Sequence, residues 1–129
     1  MLPATELVAS TKLHPIAAFY TTTQTTIERK TLSANLAKSL PNYPVPVFII
    51  PCLAVDESLQ GNGLGADTLT VALKELYHAS KSGISGIGVV IDPLDERAEA
   101  MYRKFGFETL TEKRLFLSMK TVEKVIESP

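Results

Sequence analysis

Cysteine is almost missing from this chain: Cys52 stands alone, so no intrachain disulfide can form, and with His14 and His78 as the two histidines a Cys/His metal site lacks ligands. No metal is expected, and a reducing cytoplasm is the expected location. Charge of one sign is missing too. The formal net charge is -1, so no global field draws nucleic acid, and only a local cluster of Arg29, Lys30, Lys113, Arg114, Lys120 and Lys124 would do so. Long hydrophobic runs are absent: the longest, residues 45–55, is broken by Pro46 and Pro51. That is far short of the roughly 20 residues a membrane-spanning helix needs. The first residues carry neither a basic stretch nor an apolar one, so neither a secretory signal nor a membrane partner is expected. No repeat, low-complexity tract or linker divides the chain, and 45% hydrophobic with 21% charged residues is globular composition. One domain over residues 1–129 is expected, with residues 1–15 poorly patterned.

What is present is a sequence of changing periods. Residues 16–24 mix aromatics, Ile and threonines, which suits a strand whose threonine-rich second half is partly solvated. Residues 31–39 read as a short helix. The turn Leu40-Pro41-Asn42-Tyr43-Pro44 follows, and then residues 47–55 form a nearly continuous apolar run, the pattern of a central strand buried on both faces. From Leu64 the apolar positions Leu69, Ala72, Leu73, Leu76 and Ala79 keep helical spacing, with Gly83 placed to end the helix. Residues 87–91 read as a second buried strand. Asp95 is an N-cap for a helix whose Ala98, Met101, Tyr102 and Phe105 share one stripe, and Gly106 ends it. Residues 114–119 alternate as a strand, and 121–126 form a last helix. This alternation of strand and helix indicates an α/β layer fold.

Between the central strand and the long helix lies Gln60-Gly61-Asn62-Gly63-Leu64-Gly65. Glycines opening a helix bring backbone N–H groups close to a ligand, and the helix N-terminus adds the equivalent of roughly half a positive charge, so a phosphate or pyrophosphate is the natural guest. A plain glycine-rich turn is the bland alternative. A dinucleotide site is a second one, because Gly61, Gly63 and Ala66 fit G-x-G-x-x-G/A and Asp92 ends the next strand where a ribose-binding acid sits. Against it, residues 56–60 intervene between strand and glycines. A P-loop is excluded, since no Lys follows the glycines.

The loop resembles the Q/R-x-x-G-x-G/A pyrophosphate loop of the GNAT superfamily of N-acetyltransferases, preceded here by Leu53-Ala54-Val55-Asp56. Ala98, Tyr102, Gly106 and Phe107 are similar to the family's A-x-x-x-Y-x-x-x-G-F segment. The likeness runs from about residue 16 to residue 126. It is greatest to the GNAT-type toxins of bacterial toxin–antitoxin pairs, whose pattern includes segments like Leu40-Pro41-Asn42-Tyr43-Pro44-Val45-Pro46 and Leu115-Phe116-Leu117-Ser118-Met119-Lys120-Thr121.

The resemblance implies a mixed, mostly antiparallel sheet with splayed central strands and helices on both faces. It implies acetyl-CoA as coenzyme, held by Leu53, Ala54 and Val55 along the pantetheine arm and by Gln60, Gly61, Asn62, Gly63, Leu64 and Gly65 at the pyrophosphate. The acceptor it implies is a primary amine, in the toxins the α-amine of an aminoacyl-tRNA. Tyr102, which by spacing alone would simply pack with Met101 and Phe105, becomes the implied catalytic acid for the departing thiolate. An antitoxin protein is an implied partner. The toxins carry Arg where this chain has Cys52. They also have a strand and helices before the strand matching residues 16–24, elements expected to be missing here, and a homodimer is expected to cover the sheet edge thus exposed. A module that binds CoA or an antitoxin with little turnover is the alternative function.

Overall fold

The computed structural model describes residues 4–9, 17–28, 38, 44–61 and 63–127. Their order is β1 (Ala4–Ala9), β2 (Ala18–Ile27), β3 (Val45–Val55), a single 3-10 turn (Glu57–Leu59), α1 (Leu64–Lys81), β4 (Gly88–Ile91), α2 (Glu96–Phe105), β5 (Glu108–Thr111), β6 (Arg114–Ser118) and α3 (Met119–Glu127). The strands form one six-stranded sheet in the order β1-β2-β3-β4-β6-β5. Only β3 and β4 run parallel, joined by α1 as a crossover, and every other neighbouring pair is antiparallel. The mixed, mostly antiparallel sheet expected from the resemblance is the one present.

Side-chain alternation sorts the strands into two faces. Phe48 and Ile50 of β3, Val89 and Ile91 of β4, and Leu115 and Leu117 of β6 face one way. There they meet Leu69, Ala72, Leu73 and Leu76 of α1, Tyr102 of α2 and Val122 of α3, all nearly inaccessible to water. Val45, Val47, Val90 and Phe116 face the other way with Ile27 and Leu110. No described helix contributes to that second cluster. The helix expected at residues 31–39 lies outside the described residues apart from residue 38.

The helices begin and end where the local chemistry directs. Asp95 accepts a hydrogen bond from the Ala98 N–H at 2.8 Å, which satisfies one orphan amide of α2 and stabilises its start by about 1 kcal/mol. Gly106 closes α2 in the left-handed region at φ 108°, from where the Phe107 N–H reaches the Tyr102 carbonyl at 3.3 Å. Across the layers, the buried Tyr20 hydroxyl donates to Glu75 of α1, and Gln24 donates through Nε2 to the Ser85 carbonyl. These bonds tie β2 to α1 and to the loop after it.

Two strands are additions to the sequence reading, and β1 corrects the expectation that no strand precedes β2, since it pairs antiparallel with β2 along that edge. β1 lies within the segment that shows little pattern, and β5 has Leu110 as its sole buried residue. Both are outer strands that follow the backbone ladder of a neighbour, so neither needs a two-sided apolar pattern to form. The central strand also differs from expectation. Its fully buried residues, Val45, Val47, Phe48 and Ile50, all lie in the first six positions, while Pro51 is exposed and residues 52–55 are half-buried. The site follows from that change.

Candidate functional site

β3 and β4 pair only through Phe48–Val89, Ile49–Val90 and Ile50–Ile91. β4 ends there, while β3 continues to Val55 with β2 as its one neighbour. A register shift between Thr21 and Thr23 sets Ile50 and Pro51 together opposite Thr22, a β-bulge in β3. Pro51 suits it, since it has no N–H to give a ladder. The extra residue reverses the alternation, so that Ile50 before the bulge and Leu53 after it pack against the same core. It also leaves the β4-side edge of residues 51–55 open.

The direction of the free backbone groups can be worked out. The Asp56 N–H donates to the Ala17 carbonyl at 2.8 Å, toward β2, so the Val55 carbonyl in the same peptide turns to the open side. With a period of two, Leu53 and Val55 both present N–H and C=O to the cleft. Gln60 uses part of this edge: its Nε2 donates to the Val55 carbonyl at 3.2 Å, which fastens the loop to the end of β3. The Asp56 carboxylate accepts from the Ser58 N–H at 3.0 Å and from its hydroxyl at 2.6 Å, stiffening the turn between them.

The glycines then take conformations other residues avoid. Gly61 has φ 89° and Gly63 φ 80°, both left-handed. Gly63 is the N-cap of α1 and supplies no side-chain cap, and its carbonyl accepts the first helical bond, from Asp67 at 3.1 Å. The amides of Leu64, Gly65 and Ala66 precede that bond and have no acceptor within the helix. Gly65 permits close packing, since a Cβ there would lie 3.4 Å from the Met101 sulfur.

These parts meet around a cavity of about 660 Å³, with Leu53, Ala54 and Val55 on one wall, Gln60, Gly61, Gly63 and Gly65 at the loop, and Tyr102 among the α2 residues opposite. Of the other expected site residues, Leu64 does not line it and Asn62 lies outside the described residues. The sequence reading missed most of the α2 wall, including Ala98, Met101 and Phe105, because that apolar stripe looks like pure core. It is both: these residues pack against the main cluster and line the cavity.

Tyr102 is 5% exposed, with its ring 5.9 Å from that of Phe107. Burial pushes its phenol above the ordinary value of 10.0, and the charges of Asp95 and Cys52 add to the rise. It therefore keeps its proton at neutral pH. The sole carboxylate lining the cavity, Asp95, is committed as the α2 cap. Asp92, the acid of the dinucleotide reading, is held by Arg114 through bonds of 2.8 and 2.9 Å. No group of three or more His, Cys, Asp or Glu suited to a metal occurs among the described residues.

The comparisons decide between the readings. Residues 33–107 match the acetyltransferase (GNAT) family. The chain belongs to this family. It is 30% identical over 93 residues to a tRNA-acetylating toxin of Mycobacterium tuberculosis, a match covering 72% of the chain and 55% of that relative, so the chain spans about half of its length. Among solved structures, a tyrosine-to-phenylalanine mutant of KacT superposes with a TM-score of 0.80 at 26% identity, covering 91% of this chain and 71% of that one. AtaT complexed with acetyl-methionyl-tRNAfMet gives 0.76 at 28%, covering 89% and 69%. AtaTR bound with AcCoA gives 0.73 at 30%, covering 89% and 69%. The GNAT fold thus accounts for the parted strands.

The Arg114–Asp92 pair yields a prediction. Arg114's hydrogen bond, and secondarily its charge, hold the Asp92 carboxyl below its ordinary value of 3.8, with burial opposing. Stability from a depressed carboxylate is present above the ordinary value and lost as pH falls through the folded one. The Asp92 side chain is 51% exposed, so solvent screening limits the effect to about 1 kcal/mol or less. Thermal melting of Asp92→Asn should show a slightly lowered Tm at neutral pH, with the difference from the parent vanishing as pH falls through the lowered folded-state value. A constant difference at every pH would assign the loss to packing instead.

Proposed function

We propose that this chain binds acetyl-CoA in the cleft between β3 and α2 and transfers the acetyl group to the α-amine of an aminoacyl-tRNA. The observation that carries the proposal is the coincidence of an open β3 edge with acceptor-free amides at the α1 N-terminus, along one cavity. The edge at Leu53 and Val55 suits the amide groups of a pantetheine arm, and the glycine loop suits a pyrophosphate. Support for the acceptor comes from the tRNA-acetylating relative and from AtaT with its acetylated tRNA.

In the proposed mechanism the neutral amine attacks the thioester carbonyl, and the Leu53 N–H holds the oxyanion. The C–S bond then breaks, the thiolate takes the proton of Tyr102, and the product nitrogen gives its proton to water, from which Tyr102 is reprotonated. At unperturbed values near 10 and 8.5, Tyr102 to thiolate transfer is uphill by about 2 kcal/mol. Burial raises Tyr102 above its ordinary value, which adds to that cost.

No free base lines the cavity among the described residues, so the acceptor has to arrive neutral. An α-amine, with a pKa near 7.7–8.0, is substantially neutral at about pH 7.5, whereas a lysine amine near 10.4 is neutral to only about one part in a thousand. This favours an aminoacyl ester over a protein lysine. Of the six basic residues singled out, Arg29 and Lys30 lie outside the described residues and Arg114 is engaged by Asp92, while Lys113, Lys120 and Lys124 are exposed. The cytoplasm as location, a homodimer and an antitoxin partner belong to the same proposal.

The test is calorimetry with acetyl-CoA, with NAD as control, followed by acetyl transfer to aminoacyl-tRNA at several salt concentrations. Selective acetyl-CoA binding, and tRNA affinity that falls as salt rises, are expected. Absence of acetyl-CoA binding would overturn the coenzyme reading. Binding without transfer would favour the alternative of a CoA- or antitoxin-binding module, a reading that Cys52 at the position of the toxins' Arg keeps in view.

A further inference from the structure

Arg97 is the residue whose placement the fold does not explain. It sits in the first turn of α2, where the helix dipole disfavours a cation by a few tenths of a kcal/mol. Its neighbours one turn away on the helix, Pro93, Leu94, Ala100 and Met101, include no acid. Among the described residues its guanidinium has neither a hydrogen bond nor an ion pair. The side chain nevertheless lines the cavity, and it reaches from α2 to the glycine loop: a Cβ on Gly61 would lie 3.5 Å from Arg97 Nη2. The guanidinium thus stands beside the glycine loop, at van der Waals distance from Gly61.

Donors crowd at that point, and the one carboxylate lining the cavity among the described residues, Asp95, already accepts from the Ala98 N–H. The Leu64, Gly65 and Ala66 amides have no helical acceptor, and Arg97 adds up to five N–H groups in a planar fork that matches two oxygens of a phosphate. Lys104, the other cation lining the cavity, is seven residues on, about 10.5 Å along the helix axis. It stands too far away to share the same anion.

We propose that Arg97 is a coenzyme-binding residue that pairs with the diphosphate of CoA from the α2 side, opposite the amides of the loop. The diphosphate would then be held between two elements, so that binding draws α2 and the α1 N-terminus together. The inference rests on the coenzyme reading above, and the experiment separates the two.

Calorimetry is run on the parent, Arg97→Gln and Arg97→Lys with three probes: CoA, 3′-dephospho-CoA, which keeps the diphosphate, and pantetheine, which has no phosphate. Arg97→Gln should bind both nucleotides about tenfold more weakly than the parent, equivalent to about 1.4 kcal/mol. Pantetheine should bind parent and variant alike, and Arg97→Lys should fall between them, because it keeps the charge and loses the fork. Equal CoA affinity in parent and Arg97→Gln would overturn the role of Arg97 and leave the coenzyme site standing. A deficit that disappears with 3′-dephospho-CoA would overturn the assignment to the diphosphate, and an equal deficit for pantetheine would overturn any phosphate role. No CoA binding by the parent would remove the coenzyme reading and this inference together. A Tm of Arg97→Gln matching the parent is expected, since the exposed guanidinium has no partner to lose.

Discussion

Tyr102→Phe should lower acetyl transfer about a hundredfold while leaving acetyl-CoA affinity within about twofold, the signature of a group that acts only as the thiolate departs. The substitution removes one oxygen from a ring that stays packed against Phe107 and the α2 stripe. The Tyr102 hydroxyl has no hydrogen-bond partner among the described residues, so no other group is orphaned and the melting temperature should hardly move. Single-turnover transfer alongside calorimetry reads both quantities on one preparation. Unchanged turnover would return Tyr102 to a packing role. A fall in affinity matching the fall in rate would mean that the phenol holds the coenzyme and does not protonate it. The pH profile gives a further check, because burial pushes the phenol above 10.0. Activity dependent on Tyr102 should persist through neutral pH and decline only on the alkaline side of that value.

The second large effect is expected at Gly63. A Cβ there would meet nothing within 4 Å, so a longer side chain has space to grow, yet φ of 80° imposes strain on any L-residue. Gly63→Glu therefore carries two separable consequences. The left-handed backbone should cost about 1–2 kcal/mol of stability, and the carboxylate beside the α1 N-terminus should repel the pyrophosphate and compete for its amides. Acetyl-CoA affinity should fall at least about a hundredfold. Gly63→Asn is the control, since Asn tolerates the left-handed region with a neutral side chain and should keep most of the binding. If Gly63→Asn and Gly63→Glu lose affinity equally, backbone conformation and not charge would account for the loss, and the loop would not be facing an anion.

Much of this was visible in the residues themselves. The glycine loop, the Asp95 cap, the Gly106 stop and the α1 stripe depend on neighbours a few positions apart, and the expected elements that lie within the described residues fall within a few residues of those observed. The Tyr102 stripe was legible as a helix face, although nothing in its period says that one helix face serves the core and a cavity at once. β1 and β5 escaped because an outer strand is held by backbone hydrogen bonds that leave little trace in side-chain pattern. Residues 47–55 looked uniformly buried. Their second half is not, because burial there depends on where β4 stops.

The sequence alone determined the class of fold and marked the glycine loop, since both are written in short-range spacing and in the conformational freedom of glycine, while Tyr102 as candidate acid came from the family resemblance. Only the tertiary structure decided that β3 outruns β4, that the bulge at Ile50 and Pro51 turns Leu53 back to the core side, and that Arg97 reaches across to Gly61. Those features join residues 26 or more positions apart. Their cause is the relative length and register of strands and helices packed together, which no local pattern encodes.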